Sequence, residues 1–239
     1  MSRPLALVTG AAHRLGRAFA LALARRGYDI VLCYHSSAVE AKTTASEIEA
    51  LGTNAHRIAA NLGRPADIAK LFSYVRDVSG ELAVLVNSAG VMPRVGAMDV
   101  SLQDWDDTID TNLRAPYFTS QHAARQMSEN ALIVNISDVG AGRAWSRFPA
   151  YTISKAGLEA MTRVLARALA PRVRVNAIAP GLVLPPGSLS DAEWARLIGR
   201  LPLRRAGTPE EVTLALEYLL DNQYVTGQTM VVDGGYSLI

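Results

Sequence analysis

Tyr151 and Lys155 stand four residues apart in PAYTISKAGLEAMTRVLARALAPR, a stretch whose apolar spacing predicts a long helix with both side chains on one face. A free tyrosine titrates near pH 10, and a fixed ammonium beside it favours the phenolate, moving the phenol toward the range useful for acid-base work. Asp138 lies thirteen residues upstream, at the end of ALIVNISD. That run reads as a strand delivering its last side chain to the carboxyl edge of a parallel sheet. A carboxylate next to a phenol raises the phenol's pKa and so opposes the lysine, unless burial keeps the acid protonated as a donor. Each residue also has an ordinary reading: Tyr-x-x-x-Lys occurs on many amphipathic helices, and Asp138 can be a structural acid. The surrounding elements decide the weight of the pattern.

At the N-terminus PLALVTG reads as a short buried strand, followed directly by a helix in AAHRLGRAFALALARRG. Gly10 and Gly16 bracket the turn between them. Glycines there let the backbone approach a pyrophosphate, and the free amides at the helix start supply donors and a favourable dipole. The next strand, YDIVLCY, arrives at the spacing of a βαβ unit. Further strand-like runs are AHRIAA, LAVLVN, ALIVNIS, VRVNAIA and TMVVD. Helical patterns begin near Arg14, Ser37, Pro65, Leu102, Tyr151 and Thr208, and Thr208-Pro209-Glu210-Glu211 carries an N-cap, a first-turn proline and acids for the dipole. The alternation predicts an α/β fold: one Rossmann-type, doubly wound domain over residues 1–239, with a seven-stranded parallel sheet flanked by helices. The least regular part, 181–205, contains Pro185, Pro186 and Gly187 ahead of the short helical piece LSDAEWARLIG, and is expected to be a lid over substrate.

A chain of 239 residues suits one domain burying roughly 70–75% of its unfolded surface. Net charge is +2, with both signs spread along the chain and lysine confined to Lys42, Lys70 and Lys155. No basic block suggests nucleic acid. The single cysteine, Cys33, falls in a buried strand, which excludes a disulfide within the chain and fits a reducing compartment. No apolar run approaches the ~18–20 residues needed to span a bilayer, and the start MSRPLALVTG lacks an adequate signal-peptide core, so a cytoplasmic location without membrane partners is expected.

A dinucleotide site that prefers NAD places an acid at the end of the second strand, where it accepts from the ribose hydroxyls. Here that place reads Tyr34-His35-Ser36-Ser37. Hydroxyls, an imidazole and Arg14 can donate to a 2′-phosphate that a carboxylate would repel, which favours NADPH. Alternatively Ser36 or Ser37 caps the next helix and His35 is merely solvated, and both readings can hold together.

With TGAAHRLG, NSAG at 87–90, Tyr151-x-x-x-Lys155 and Pro180-Gly181 in this order, the sequence resembles the short-chain dehydrogenase/reductases over nearly its whole length. Within that family it is similar to the pteridine reductases and the related dihydromonapterin or dihydrofolate reductases. The features are Arg14–Gly16, YHSSAVEA after the second strand, and Asp138, where most members carry serine. Ser137 is one residue off that register. The resemblance implies NADPH-dependent hydride transfer, with Tyr151 supplying a proton and Lys155 tuning it and holding the nicotinamide ribose. Asn112 matches the relay asparagine, whose side-chain carbonyl would bind a water reaching Lys155; otherwise it is a polar residue on a helix face.

Further cofactor contacts are expected from Gly10, Leu15 and Gly16 in the first turn and from Asn61 and Leu62 after the third strand. Asn61 replaces the usual aspartate and would accept from the adenine amino group. Asn87, Ser88, Ala89 and Gly90 would pass against the cofactor, as would Pro180, Gly181, Leu182 and Val183, although Pro185 replaces a contacting threonine. In pteridine reductases aspartate and tyrosine together protonate a ring nitrogen, so the substrate residues here would be Arg14, Asp138, Tyr151 and Met92, the last standing where those enzymes stack an aromatic side chain. The rival readings are a reductase of other carbonyls such as 3-oxoacyl thioesters, which Asp138 disfavours, and a non-enzymatic NADP-binding sensor, which the intact Asn112, Tyr151 and Lys155 disfavour. The family likeness and the apolar helix faces around Asn112 and Tyr151 also imply a homo-oligomer, expected to be a homotetramer.

Overall fold

Seven runs rich in β-branched and other apolar residues, each too short to be a core helix, pair as parallel strands: β1 (Leu5–Thr9), β2 (Asp29–Tyr34), β3 (Ala55–Ala59), β4 (Leu82–Asn87), β5 (Met127–Ile136), β6 (Val173–Pro180) and β7 (Thr229–Val232). In this computed structural model, which describes residues 3–185 and 189–239, the sheet order is β3-β2-β1-β4-β5-β6-β7. All six pairings are parallel. The α/β fold with seven parallel strands is therefore as expected. The strand order reverses between β1 and β4, where the connections leave to opposite faces and open a crevice at the carboxyl ends of the strands.

Because side chains alternate along each strand, the sheet has two apolar faces. Leu5, Leu7, Val31 and Cys33 pack with Phe72 of α3 (Pro65–Asp77), Ala123 of α5 (Ala115–Gln126) and Leu158 and Leu165 of α6 (Pro149–Leu169). Ala6, Val8, Ile30 and Leu32 pack on the other side with Phe19 and Leu23 of α1 (Arg14–Arg25), Ile48 of α2 (Ala38–Ala50) and Leu216 and Leu219 of α8 (Pro209–Asp221). Cys33 is buried in the first layer, and burial pushes its thiol up to about 12, so it packs as an apolar residue.

Two local departures matter for the site. The helix expected to run through Asn112 is α4 (Leu102–Ile109) joined to α5 by a π turn over Asp110–Arg114. Pro116 has no N–H, so the carbonyl of Asn112 lacks the donor four residues on that an α-helix would give it, and the chain widens there instead. Strand β5 begins at Met127 rather than Ala131, with a register shift against β4 and Asn130 at φ 61. The short helix anticipated after the proline-rich stretch is α7 (Asp191–Ile198), started by a reciprocal Ser190/Glu193 capping box. The residues 186–188 of the expected lid, which include Pro186 and Gly187, lie outside the described residues.

Candidate active site

Over the crevice lies a cleft of about 740 Å³. Its floor comes from the ends of β1, β4, β5 and β6, one wall from the start of α1, and the roof from α7. Asp138, Tyr151 and Lys155 meet inside it. Asp138 follows β5 directly and caps a 3-10 turn over Val139–Gly142, its Oδ1 accepting from the Gly140 amide at 2.6 Å. The Tyr151 hydroxyl donates to Asp138 Oδ2 at 2.8 Å. Lys155, one turn further along α6, donates through Nζ to the Ile136 carbonyl at 2.6 Å, and Nζ lies 5.6 Å from the centroid of the Tyr151 ring.

Burial sets the electrostatics. It pushes the Asp138 carboxyl up, against the Gly140 amide, the Tyr151 hydroxyl and the Lys155 charge, which all pull it down. The Tyr151 phenol is pushed well above its ordinary range, first by burial and then by the charge of Asp138 and the hydrogen bond to it. Lys155 is brought down to about 8 by burial, with Asp138 opposing. In this arrangement desolvation and Asp138 outweigh the expected lowering of the phenol by Lys155, whose ammonium donates to Ile136 and keeps further N–H donors. A high phenol and a raised carboxyl are both suited to giving protons rather than taking them.

Asn112 is fully buried, and its side chain clasps the loop after β4: Oδ1 accepts from the Val91 amide at 2.9 Å while Nδ2 donates to the Val91 carbonyl at 2.8 Å and to Ser154 Oγ at 3.1 Å. Its side-chain carbonyl accepts from Val91 with one of its two lone pairs and borders the open space toward Lys155 in which the expected relay water would sit. Ser154, missed in the sequence, also donates to the Tyr151 carbonyl at 2.6 Å and so couples Asn112 to the catalytic helix. Only its position three residues after Tyr151 hinted at this.

The cofactor side is built from close backbone contacts. A Cβ on Gly16 would stand 2.1 Å from the Gly10 carbonyl oxygen, and one on Gly10, at φ 64, would stand 2.8 Å from the Ala89 Cα. Thr9, also unforeseen, accepts the amides of Ser88 and Ala89 at 3.0 and 3.1 Å and so fixes the β4 turn against the β1 turn. Helix α1 has no side-chain cap and no acid in its first turn, and Arg14, Leu15 and Gly16 face the cleft, which suits a pyrophosphate. A side chain at Gly90 would enter the space between Asn112 Oδ1 (3.3 Å) and Lys155 Nζ (3.7 Å), so its absence leaves that space open. Ser88, Ala89, Pro180, Gly181, Leu182 and Val183 line the cleft as expected, and so does Met92.

Other expected contacts are placed differently. Asn87 is buried, its amide donating to Asn135 Oδ1 at 2.9 Å and Ser120 Oγ at 3.1 Å while its Oδ1 accepts from Thr119 at 2.7 Å; its side chain braces β4 against β5 and α5 instead of facing the cleft. Asn61 Oδ1 accepts from the Gly63 amide at 3.0 Å, closing a local turn, and Leu62 is buried in the core. His35 and Ser36 are exposed and Ser37 is half-buried, all beyond the cleft. Ser37 holds the N-cap position of α2, yet its hydroxyl makes no capping bond and remains available. The Arg14 guanidinium donates to the carbonyls of Leu184 and Pro185 at 3.0 Å each. It therefore spans toward the segment after β6 and is not drawn to the end of β2 as expected.

The substrate side holds an aromatic wall not read from the sequence. Trp145 lies 6.2 Å from Phe148, edge-on, and 6.1 Å from Tyr236. Trp194 of α7 lines the same space. Arg143 anchors Tyr236, lying 5.0 Å over its ring and donating to its carbonyl.

Comparison with known proteins gives three kinds of match. The family model described as enoyl-(acyl carrier protein) reductase matches residues 10–237. The 3-oxoacyl-[acyl-carrier-protein] reductase FabG of Staphylococcus aureus is 35% identical over 237 residues, covering 96% of each chain. Among solved structures, a short-chain dehydrogenase/reductase from Serratia marcescens superposes with a TM-score of 0.93 at 30% identity, covering 98% of both chains. The FolM alternative dihydrofolate reductase 1 from Brucella canis, complexed with NADP, superposes with a TM-score of 0.93 at 33% identity, covering 99% of this chain and 94% of that one.

Proposed function

The chain belongs to the short-chain dehydrogenase/reductase family of oxidoreductases, and on that premise we propose that it is an NADPH-dependent reductase of a pteridine-type ring, a dihydropterin or dihydrofolate. The observation that carries the ring assignment is the largely buried Tyr151–Asp138 hydrogen bond, between a buried phenol and a half-buried carboxyl. Bound NADPH supplies a hydride to the ring carbon. The chain's residues supply the rest. Asp138, raised by burial, and Tyr151, raised by burial and by Asp138, form a relay that delivers a proton to the ring nitrogen beside that carbon. Lys155 holds the Tyr151 face of α6 against Ile136 and presents its charge below the Gly90 gap, where a ribose hydroxyl can reach it. The Trp145–Phe148–Tyr236 wall and Met92 give a flat ring apolar surfaces, and Leu189 with Trp194 and Leu197 of α7 covers it as a lid.

A second reading, reduction of 3-oxoacyl thioesters, is favoured by the Staphylococcus relative. A ketone oxygen needs one proton from Tyr151 and a simple hydrogen-bond donor beside it, which does not call for a carboxyl. The test is NADPH consumption with dihydropteridines, dihydrofolate, acetoacetyl thioesters and simple diketones offered in parallel. Turnover of the pteridines supports the proposal, and turnover of the thioesters alone refutes it.

The pH profile follows from Lys155. A cation brought down to about 8 is charged below that pH and neutral above it. We expect kcat/KM for NADPH, which reports the free enzyme, to hold on the acid side and to fall about tenfold per pH unit above an apparent pKa near 8. A profile still flat at pH 10 would contradict the role given to Lys155.

Assembly is the remaining part of the proposal. Leu102 and Trp105 of α4, Tyr117 and Phe118 of α5, and Ile153 and Val164 of α6 are exposed large apolar residues on neighbouring helices. A face of this kind suits a second copy, and the chain is expected to form a homotetramer in solution. Multi-angle light scattering at micromolar concentration checks this, and a monomeric mass contradicts it. Among the described residues no helix is long and apolar enough to cross a membrane.

A further inference from the structure

From the rim of the cleft we infer that the substrate carries an anionic tail of at least two charges, gripped by Arg94, Arg147 and Arg196. The inference rests on the pteridine reading for the identity of that tail, the glutamyl carboxylates of a dihydrofolate. The three arginines come from separate segments, the loop after β4, the loop before α6, and α7, yet all line the same cleft. Each stands two residues beyond a side chain of the substrate compartment: Met92, Trp145 and Trp194. The Val95 amide donates to the Arg147 carbonyl at 3.0 Å, which binds the first two loops together, and Arg94 and Arg196 both hold the Glu193 carboxyl below its usual range, behind the stronger effect of Ser190.

All three guanidinium groups are exposed, and among the described residues none has a carboxylate within ion-pairing distance, although Arg17, Arg26, Arg114 and Arg205 each do. The cleft has two acids to set against them. Asp138 is bound to Tyr151, and Glu193 Oε2 accepts from the Ser190 amide and hydroxyl at 3.0 and 2.9 Å. The rim therefore presents a net positive field with unpaired donors just past the aromatic wall. Planar guanidinium groups from three directions match carboxylates at the end of a flexible tail, and they leave the ring chemistry to Asp138 and Tyr151.

The experiment compares kcat/KM for a tailless dihydropterin, dihydrofolate and its triglutamate, in the parent, Arg147→Glu, Arg196→Glu and the double variant. The readout is the ratio of tailed to tailless substrate within each protein, which cancels any loss of folded enzyme. The parent ratio should exceed one, rise with each added glutamate, and shrink as salt is raised. The double variant should lower it at least about fivefold, through KM rather than kcat. A ratio indifferent to charge reversal and to salt overturns the inference. If the parent reduces no pterin, the ring assignment has failed on its own, and the tail is then read with acetoacetyl coenzyme A against acetoacetyl N-acetylcysteamine. The same arginine dependence there keeps the anionic grip, and equal rates in all proteins remove it.

Discussion

Asp138→Ala is expected to lower kcat for a dihydropterin by about 10²–10⁴-fold, the range typical of a lost acid-base participant. The substitution takes away the acceptor of the Tyr151 hydroxyl and half of the proton relay together. It also removes the cap of the 3-10 turn at Gly140, so Asp138→Asn is the companion variant. Its amide keeps an oxygen for Gly140 and cannot release a proton to the ring. Both should lose kcat similarly while thermal unfolding separates them. Full activity in either variant would remove Asp138 from the chemistry.

The second large effect concerns the cofactor. NADPH is expected to surpass NADH in kcat/KM by on the order of 10² or more, since each charge-assisted contact to the 2′-phosphate is worth ~1.5–3 kcal/mol and more than one donor is available. The expected donors are the uncommitted hydroxyl of Ser37, together with His35 and Ser36, at the start of α2. Glu40 in the first turn of α2 works against them. Arg14 is tied to Leu184 and Pro185, so Ser37→Ala should cost more of this preference than Arg14→Ala. Steady-state kinetics with both cofactors checks the order, and comparable kcat/KM values for NADPH and NADH would refute the reading.

Much of this was legible in the chain because the signals are local. Buried parallel strands are continuous apolar runs, and Tyr151, Lys155 and Asp138 sit at helix and strand positions whose direction follows from periodicity alone. The Gly10–Gly16 turn was readable for the same reason. What escaped were features fixed by distant partners. The aromatic wall joins Trp145 and Phe148 to Tyr236, some ninety residues away, and no spacing rule links them. Asn87 resembled a cofactor contact, yet its amide is consumed by Asn135, Ser120 and Thr119, residues brought near only by strand and helix packing. The direction of the Tyr151 shift was missed because an i,i+4 lysine is visible in sequence, whereas desolvation is a property of the assembled site. Pro116, by contrast, was a readable sign that the helix through Asn112 would be interrupted.

The measurement that bears most directly on the central claim is the steady-state kinetics of the parent and Asp138→Ser with a dihydropterin and with a 3-oxoacyl thioester. A ring nitrogen needs the proton relay of a carboxyl and Tyr151, whereas a ketone oxygen needs only a hydroxyl donor beside the tyrosine. The account predicts a parent active on the dihydropterin and a serine variant that loses this activity by about 10²-fold or more. A parent active only on the thioester, with Asp138→Ser matching or exceeding it, would contradict the account and make the chain a 3-oxoacyl thioester reductase.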